Sequence, residues 1–357
     1  MRIRVVDLGL VSPVRSQTVY HAVGYAFRSD TPPTILLVST TDPYVSIGYH
    51  QDAEREVDLE YCRNAGLPVI RREVGGGAVY LDHNQVFTQW IFPRELVPSR
   101  VEDRFAWYVR PLVETYRQWG IEATWRPIND IHVRGRKIGG TGAASIGDAE
   151  ILVGSLMLDF DTKQMARVLK VASEKMRDKV FQSLEEYMTT MRRELGTMPD
   201  RDQVVHTYLE QCSAALGAEL EFGELTPEEE AVAAELDARF ASEEWLYQKG
   251  GLRESGIKIH ADVRLHEAAL KVPGGLIRVI VRTHGGRIDD VSLSGDFTLL
   301  PALGLAAIEQ AVRGLSTRRE ELAARIREVY RALGLQSPGV TAEDFASAIA
   351  QAVELAT

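Results

Sequence analysis

Three consecutive glycines, Gly75 to Gly77, stand directly between two runs rich in strand-forming residues, and no other feature limits the possible folds of this chain so sharply. Pro68 to Ile70 reads as a strand that runs into Arg71 and Arg72; beyond the glycines, Ala78 to Tyr80 leads to Val86–Phe92, VFTQWIF, another β-rich run. A glycine bend at a strand end leaves main-chain N–H groups uncovered, so the backbone can approach a phosphate or carboxylate where a side chain would clash. Arg71 and Arg72 add planar paired donors suited to oxyanions. The same residues, taken alone, also describe a tight turn in a sheet beside two surface arginines, with Arg71 as an ion-pair partner.

The rest of the chain mixes strands and helices without a strict βαβ rhythm. Ile35–Ser39 and Tyr44–Gly48 read as strands, Glu54–Ala65 as a helix closed by Gly66, and Arg104–Trp119 as a helix closed by Gly120. Ile131–Val133 and Ile151–Leu158 are strand candidates that bracket GRKIGGTGAASIGD, which reads as a long glycine-dense loop. Gln164 to Gly217 is helical, with a new start at Pro199 and Asp200; Thr226, Pro227 and Glu229 open another helix with a capping pattern, running to about Ser242. The glycines of Gln248–Gly256 mark the best boundary. We therefore expect an α+β protein: a large mixed-sheet domain over residues 1–249, with a helical connector at about 224–249, and a small α+β accessory domain over 256–357. In the latter, Leu276–Arg282 and Arg287–Leu293 flank His284-Gly285-Gly286 as a hairpin, and Thr317–Leu333 and Thr341–Leu355 are amphipathic helices.

Composition narrows the chemistry. At 357 residues, 45% hydrophobic and 26% charged, each unit can bury its own core. No run of about 18 apolar residues offers a membrane span, and the amino end has neither a long hydrophobic region nor a small-residue cleavage site, so a cytoplasmic protein is expected. The net charge of −10 argues against a nucleic-acid face. Cys62 and Cys212 are too few for a disulfide framework and lie in no CxxC pair; both read as buried thiols. The histidines, among them His83, His132, His260 and His266, are scattered and read as surface or structural. No P-loop, HExxH helix or kinase motif set is present.

The whole string RREVGGGAVY, followed by Asp82 and a β-rich strand, resembles the RRxSGGGAVxHDxGN signature of lipoate-protein ligases. Asn129-Asp130-Ile131 and Gly135-Arg136-Lys137-Ile138-Gly139-Gly140 are similar to that family's NDL and GxKISG segments, at the expected distance. Lys271-Val272-Pro273-Gly274-Gly275 and Ser294-Gly295-Asp296-Phe297 look like its accessory domain. The resemblance implies the biotin/lipoate ligase-like fold and an ATP- and Mg²⁺-dependent reaction. Lipoate or octanoate is activated to the acyl-adenylate, then passed to a lysine of a lipoyl domain, a glycine-cleavage H-like protein or a lipoate-binding protein. A monomer is expected.

Residue by residue, the resemblance implies that Lys137 is catalytic, a compact cation between carboxylate and α-phosphate that also polarises the acyl carbonyl. It implies contact with the adenylate or ATP for Arg72, Gly75, Gly76, Gly77, Ala78, Val79, Tyr80, Asn129, Asp130, Ile138, Gly139 and Gly140, with Asp130 as the magnesium-side carboxylate and Val79 and Tyr80 along the acyl slot. The alternative reading of Lys137 is a solvated lysine at a hairpin tip, and a bare Asn129-Asp130 pair reads first as a turn cap, which only its position upstream of Lys137 reverses.

Three departures stand out. Val74 replaces the family serine, Leu81 the histidine, and Leu152-Val153-Gly154-Ser155-Leu156-Met157 stands where the family has HHGTLL. Val74, Leu81, Val153 and Gly154 are therefore candidates for a drier or reshaped acyl pocket. Octanoyl transferases of the same fold work through a cysteine thioester without ATP, but Cys62 and Cys212 lie far from the lysine motif. A biotin ligase would carry a GRGRxG loop, which is missing here. A module that only binds lipoylated partners would not need Lys137.

Overall fold

The computed structural model describes residues 1–249 and 263–354. The chain opens with β1 (Arg2–Val11), α1 (Pro13–Tyr25), β2 (Thr34–Thr40) and β3 (Tyr44–Ile47). Ser12 caps α1 by accepting the Arg15 N–H, and Pro13 suits the first helical position. Next come α2 (Ala53–Glu56), α3 (Leu59–Asn64), β4 (Val69–Arg71), β5 (Val79–Leu81), β6 (Gln85–Pro93) and α4 (Val101–Gln118). The single helix expected over 54–65 is in fact two. Val57 is extended and fully buried, and Asp58 then caps α3 by accepting the Tyr61 N–H at 3.0 Å.

Four strands follow: β7 (Ala123–Arg126), β8 (Asp130–Val133), β9 (Arg136–Ile146) and β10 (Ala149–Met157). The segment read as a glycine-dense loop is thus an eleven-residue strand, β9, paired with β8 on one side and β10 on the other. Its glycines are not turn residues: Gly140 lies under the side chain of Lys137 from the same strand, and Val74 presses on Gly142. Then come α5 (Thr162–Val168), α6 (Glu174–Tyr187), α7 (Met191–Leu195), α8 (Arg201–Leu216), β11 (Glu219–Phe222), α9 (Pro227–Phe240) and α10 (Glu243–Leu246). The capping box foreseen at Thr226 and Glu229 is formed.

An eight-stranded mixed sheet in the order β11-β1-β2-β6-β10-β9-β8-β7 carries the fold. Side chains alternate across β6. Val86, Trp90 and Phe92 face α4 and α8 in one core, whereas Phe87 and Ile91 face α1 and the glycine segment in another. A second, three-stranded sheet in the order β4-β3-β5 holds the two ends of the Arg71–Tyr80 segment on either side of β3.

The carboxyl-terminal part is built from β12 (Val263–Val272), β13 (Gly275–His284), β14 (Arg287–Gly295), α11 (Gly304–Val312), α12 (Arg319–Leu333) and α13 (Ala342–Glu354). Its antiparallel sheet and helices share a core of their own, including Ile277, Leu293, Phe297, Ile308, Ile326 and Phe345. The expected hairpin and both amphipathic helices are there. The boundary read at Gln248–Gly256, like His260, falls almost entirely outside the described residues. This part meets the larger one around Ser294–Phe297. The His50 ring stacks on Phe297 at 5.2 Å, the Gly295 N–H donates to the His50 carbonyl at 3.0 Å, and Arg278 pairs with Glu56 at 2.6 Å.

Candidate functional site

A cavity of about 350 Å³ opens on the α1 side of the large sheet. Its floor is a patch of β6, β10 and β9: Gln85 is opposite Met157, Phe87 opposite Ser155, Gln89 opposite Val153, and Val153 opposite Gly142. These residues line it together with the glycine segment, Gln17 and Tyr20 of α1, Met165 of α5 and Leu184 and Tyr187 of α6. Among the described residues two cationic side chains, Arg72 and Lys137, reach the cavity, and no acidic side chain lines it. A chain with a net charge of −10 therefore keeps a positive, otherwise largely apolar cavity.

The position of Lys137 follows from an irregularity in β9. Asp130 is opposite Gly140 and Ile131 opposite Gly139, but His132 is already opposite Lys137, so Ile138 is an extra residue. Such a bulge re-aims the side chains beyond it. Ile138 is fully buried in the α4–α8 core, and Lys137 moves onto the cavity face beside Asp130. There its Nζ lies 2.7 Å from Asp130 Oδ1, with both side chains partly exposed. Asp130 Oδ2 accepts from the Tyr187 hydroxyl at 3.4 Å, and that hydroxyl also lies 3.4 Å from His132 Nε2. The residues after α6 run beside β9, and the Thr189 N–H donates to the Lys137 carbonyl at 2.9 Å.

The glycine segment is held rigidly. Arg72 donates through Nη2 to the carbonyls of Gly75 and Gly77, both at 2.9 Å, and through Nη1 to the Ser46 carbonyl and hydroxyl, each at 3.2 Å. Burial holds its pKa below the usual arginine value. Gly76 has φ +100, which favours glycine, and a Cβ on Gly75 would stand 2.7 Å from the Phe297 carbonyl oxygen. The Ser294–Phe297 turn of the carboxyl-terminal part thus packs directly on the glycines.

Arg71 corrects an expectation. It is fully buried and turned away from the cavity, donating to the carbonyls of Gly48, Tyr49, Gln51, Trp245 and Leu246, so it ties α10 to the sheet and is no surface partner. Burial lowers its pKa to about 10.

Of the residues singled out in the sequence, Arg72, Val74, Gly75, Gly76, Gly77, Ala78, Val79, Tyr80, Leu81, Asn129, Lys137, Gly140, Val153 and Gly154 line the cavity. Asp130 stands at its edge through Lys137. Ile138 and Gly139 do not line it: the first is core, and a Cβ on the second would contact Ile131 and the Ser155 carbonyl. Sequence reading missed Gln17, Tyr20, Gln85, Gln89, Met165 and Tyr187. The even spacing of Gln85, Phe87 and Gln89 along one strand face was the one available signal.

Cys62 and Cys212 are both buried, as expected, and neither lines the cavity. Burial raises the Cys62 pKa to about 11 and pushes that of Cys212 further up. Among the described residues no group of three or more His, Cys, Asp or Glu side chains could hold a metal ion, and no helix is long and apolar enough to cross a membrane.

A mixed sheet thus carries a cationic, otherwise largely apolar cavity bordered by the glycine segment. The chain belongs to the lipoyl protein ligase A/B catalytic domain family, whose sequence profile matches residues 18–213. It is 29% identical to an octanoyltransferase LipM from Kyrpidia tusciae, over 69% of this chain and 98% of that protein. It is 25% identical to lipoate–protein ligase 2 of Staphylococcus aureus, over 83% of this chain and 84% of that one. Among solved structures, the bipartite lipoate protein ligase of Thermoplasma acidophilum, described with its E2 lipoyl domain, superposes with a TM-score of 0.64 at 27% identity, covering 72% of this chain and 99% of that one.

Proposed function

We propose that this protein is an ATP-dependent lipoate-protein ligase rather than a cysteine-dependent octanoyl transferase. The observation that carries this reading is the pairing of a cationic cavity with the absence of a thiol in it. A transferase of the cysteine type needs an accessible thiolate at the acyl carbonyl, and both thiols here are buried and held protonated. The extent of similarity points the same way: the LipM relative is matched over nearly its whole length but only 69% of this chain, the staphylococcal ligase over 83% of it.

In this reading the acyl chain lies over Val153 and Phe87, and its carboxylate meets Lys137. A carboxylate oxygen attacks the α-phosphorus of ATP and pyrophosphate leaves; the ammonium of Lys137 stands between the two anions and offsets their repulsion. The glycine N–H groups, fixed by Arg72, face the phosphates. In the second step the amine of an acceptor lysine attacks the acyl carbonyl, which Lys137 polarises, and AMP departs as the amine loses a proton. Asp130 holds the ammonium over the reacting atoms. A single carboxylate suits a magnesium ion whose other ligands are phosphate oxygens and water, so Asp130, with Asn129 beside it, would hold the ion and the ion would neutralise the leaving pyrophosphate.

The test is intact-mass detection of a lipoyl domain after incubation with the protein, lipoate, ATP and magnesium, repeated with Lys137→Ala. A lipoyl adduct that requires ATP and Lys137 is expected. Acyl transfer from octanoyl acyl carrier protein without ATP would establish the transferase instead.

A further inference from the structure

The cavity floor contains two buried amides, three of whose four polar atoms find no partner among the described residues. Gln85 and Gln89 project from the cavity face of β6 on either side of Phe87, and their exposures are only 1% and 2%. Neither Nε2 nor Oε1 of Gln85 has a partner. Gln89 donates through Nε2 to the Ser16 carbonyl at 3.1 Å, which fixes the amide orientation and leaves Oε1 unpaired. The neighbouring Gln17 differs: its Nε2 donates to the Tyr44 hydroxyl and its Oε1 accepts from Tyr20. Buried polar atoms in folded proteins are nearly always paired, so a cluster that is unpaired and faces a cavity marks where a ligand supplies the partners.

We propose that Gln85 and Gln89 recognise a hydrogen-bonding group on the distal part of the acyl chain, a thiol or hydroxyl, and so select such chains over a plain saturated one. This rests on reading the cavity as the acyl site. The free atoms amount to one donor and two acceptors. A hydroxyl or a reduced dithiol supplies donors to the acceptors, whereas an alkyl terminus supplies nothing and would seal the amides against hydrocarbon. Reach agrees: β6 lies two strands from β9, roughly 9.5 Å at the usual strand spacing. That separation places the far end of an extended medium-length chain beside Gln85 while its carboxylate meets Lys137. The same amides account for a cavity that combines aliphatic replacements at Val74, Leu81 and Val153 with glutamines on its floor.

Direct binding tests this without requiring catalysis. The full-length protein is titrated calorimetrically with octanoate, 8-hydroxyoctanoate and dihydrolipoate, alongside Gln85→Met and Gln89→Met variants whose folding is checked by thermal melting. Wild type should bind the hydroxyl and dithiol acids about tenfold more tightly than octanoate, as expected for buried polar groups left unpaired by the plain chain. Each variant should bring that ratio toward one. Octanoate binding as tightly as the others to wild type would overturn the proposal while leaving the acyl cavity intact, as would a preference unchanged in both variants. Failure of all three acids to bind would remove the acyl-site reading and this proposal with it.

Discussion

The ammonium of Lys137 rests directly over Gly140: a Cβ on that glycine would stand 3.1 Å from Nζ and 3.2 Å from Cε. The glycine is therefore the bed on which the lysine lies, and its conformation is one that alanine can also adopt. Gly140→Ala should fold normally but shift the ammonium by a few tenths of an ångström away from the reacting atoms. Positioning losses of this kind reach ~100-fold per ångström, so adenylate formation should fall by about tenfold. Pyrophosphate release measured at saturating lipoate, beside an unchanged melting curve, checks it.

Asp130 is the other half of that placement. The pair is partly exposed, so its contribution to folding is at most about 1 kcal/mol. Asp130→Asn should therefore barely move the melting temperature. Its effect on rate should be much larger, about 10- to 100-fold, because the asparagine removes both the anchor of Lys137 and the carboxylate proposed for magnesium. If activity and stability fell in proportion, the role assigned to Asp130 would be structural only.

How much of this could be read along the chain depends on whether the information is local. The glycine bend and Lys137 belong to short strings whose chemistry is carried by neighbouring residues, so both were legible. Arg71 and Arg72 look equivalent in sequence. They differ because the strand ends between them: one side chain is tied to the carbonyls around α10, the other to the glycine segment. Residues 136–146 read as loop because glycine is a poor strand former, yet close packing decides the matter, with Lys137 over Gly140 and Val74 against Gly142. Gln17, Gln85, Met165 and Tyr187 converge from separate elements, and no local pattern announces such a meeting.

The contact between Val74 and Gly142 makes that packing testable. A Cβ on Gly142 would overlap Val74 Cγ1. Gly142→Ala should thus destabilise by about 1–3 kcal/mol through overpacking and narrow the slot proposed for the acyl chain, raising KM for lipoate more than it lowers kcat. The double variant Val74→Ala with Gly142→Ala restores the space. It should recover most of the lost stability, which denaturant melts of the four proteins of the cycle would show.

Acid should loosen the join between the two parts of the molecule. His50 stacks on Phe297, and burial, reinforced by Lys249 and Arg71, lowers its pKa from 6.5 to about 3. The folded protein therefore binds fewer protons than the unfolded chain below pH 6.5. The stability this histidine allows is fully present above that value and declines as the pH falls toward about 3. The slope is up to about 1.4 kcal/mol per pH unit. His21, also buried and held neutral, contributes in the same direction, so the two are separated by substitution. His50→Gln keeps a donor without a titrating ring, and its melting temperature should fall less steeply than wild type between pH 6.5 and 4. Parallel curves for the two proteins would mean that His50 does not titrate on unfolding. A steeper wild-type curve would tie the acid response to the ring that seats the Ser294–Phe297 turn against the glycines.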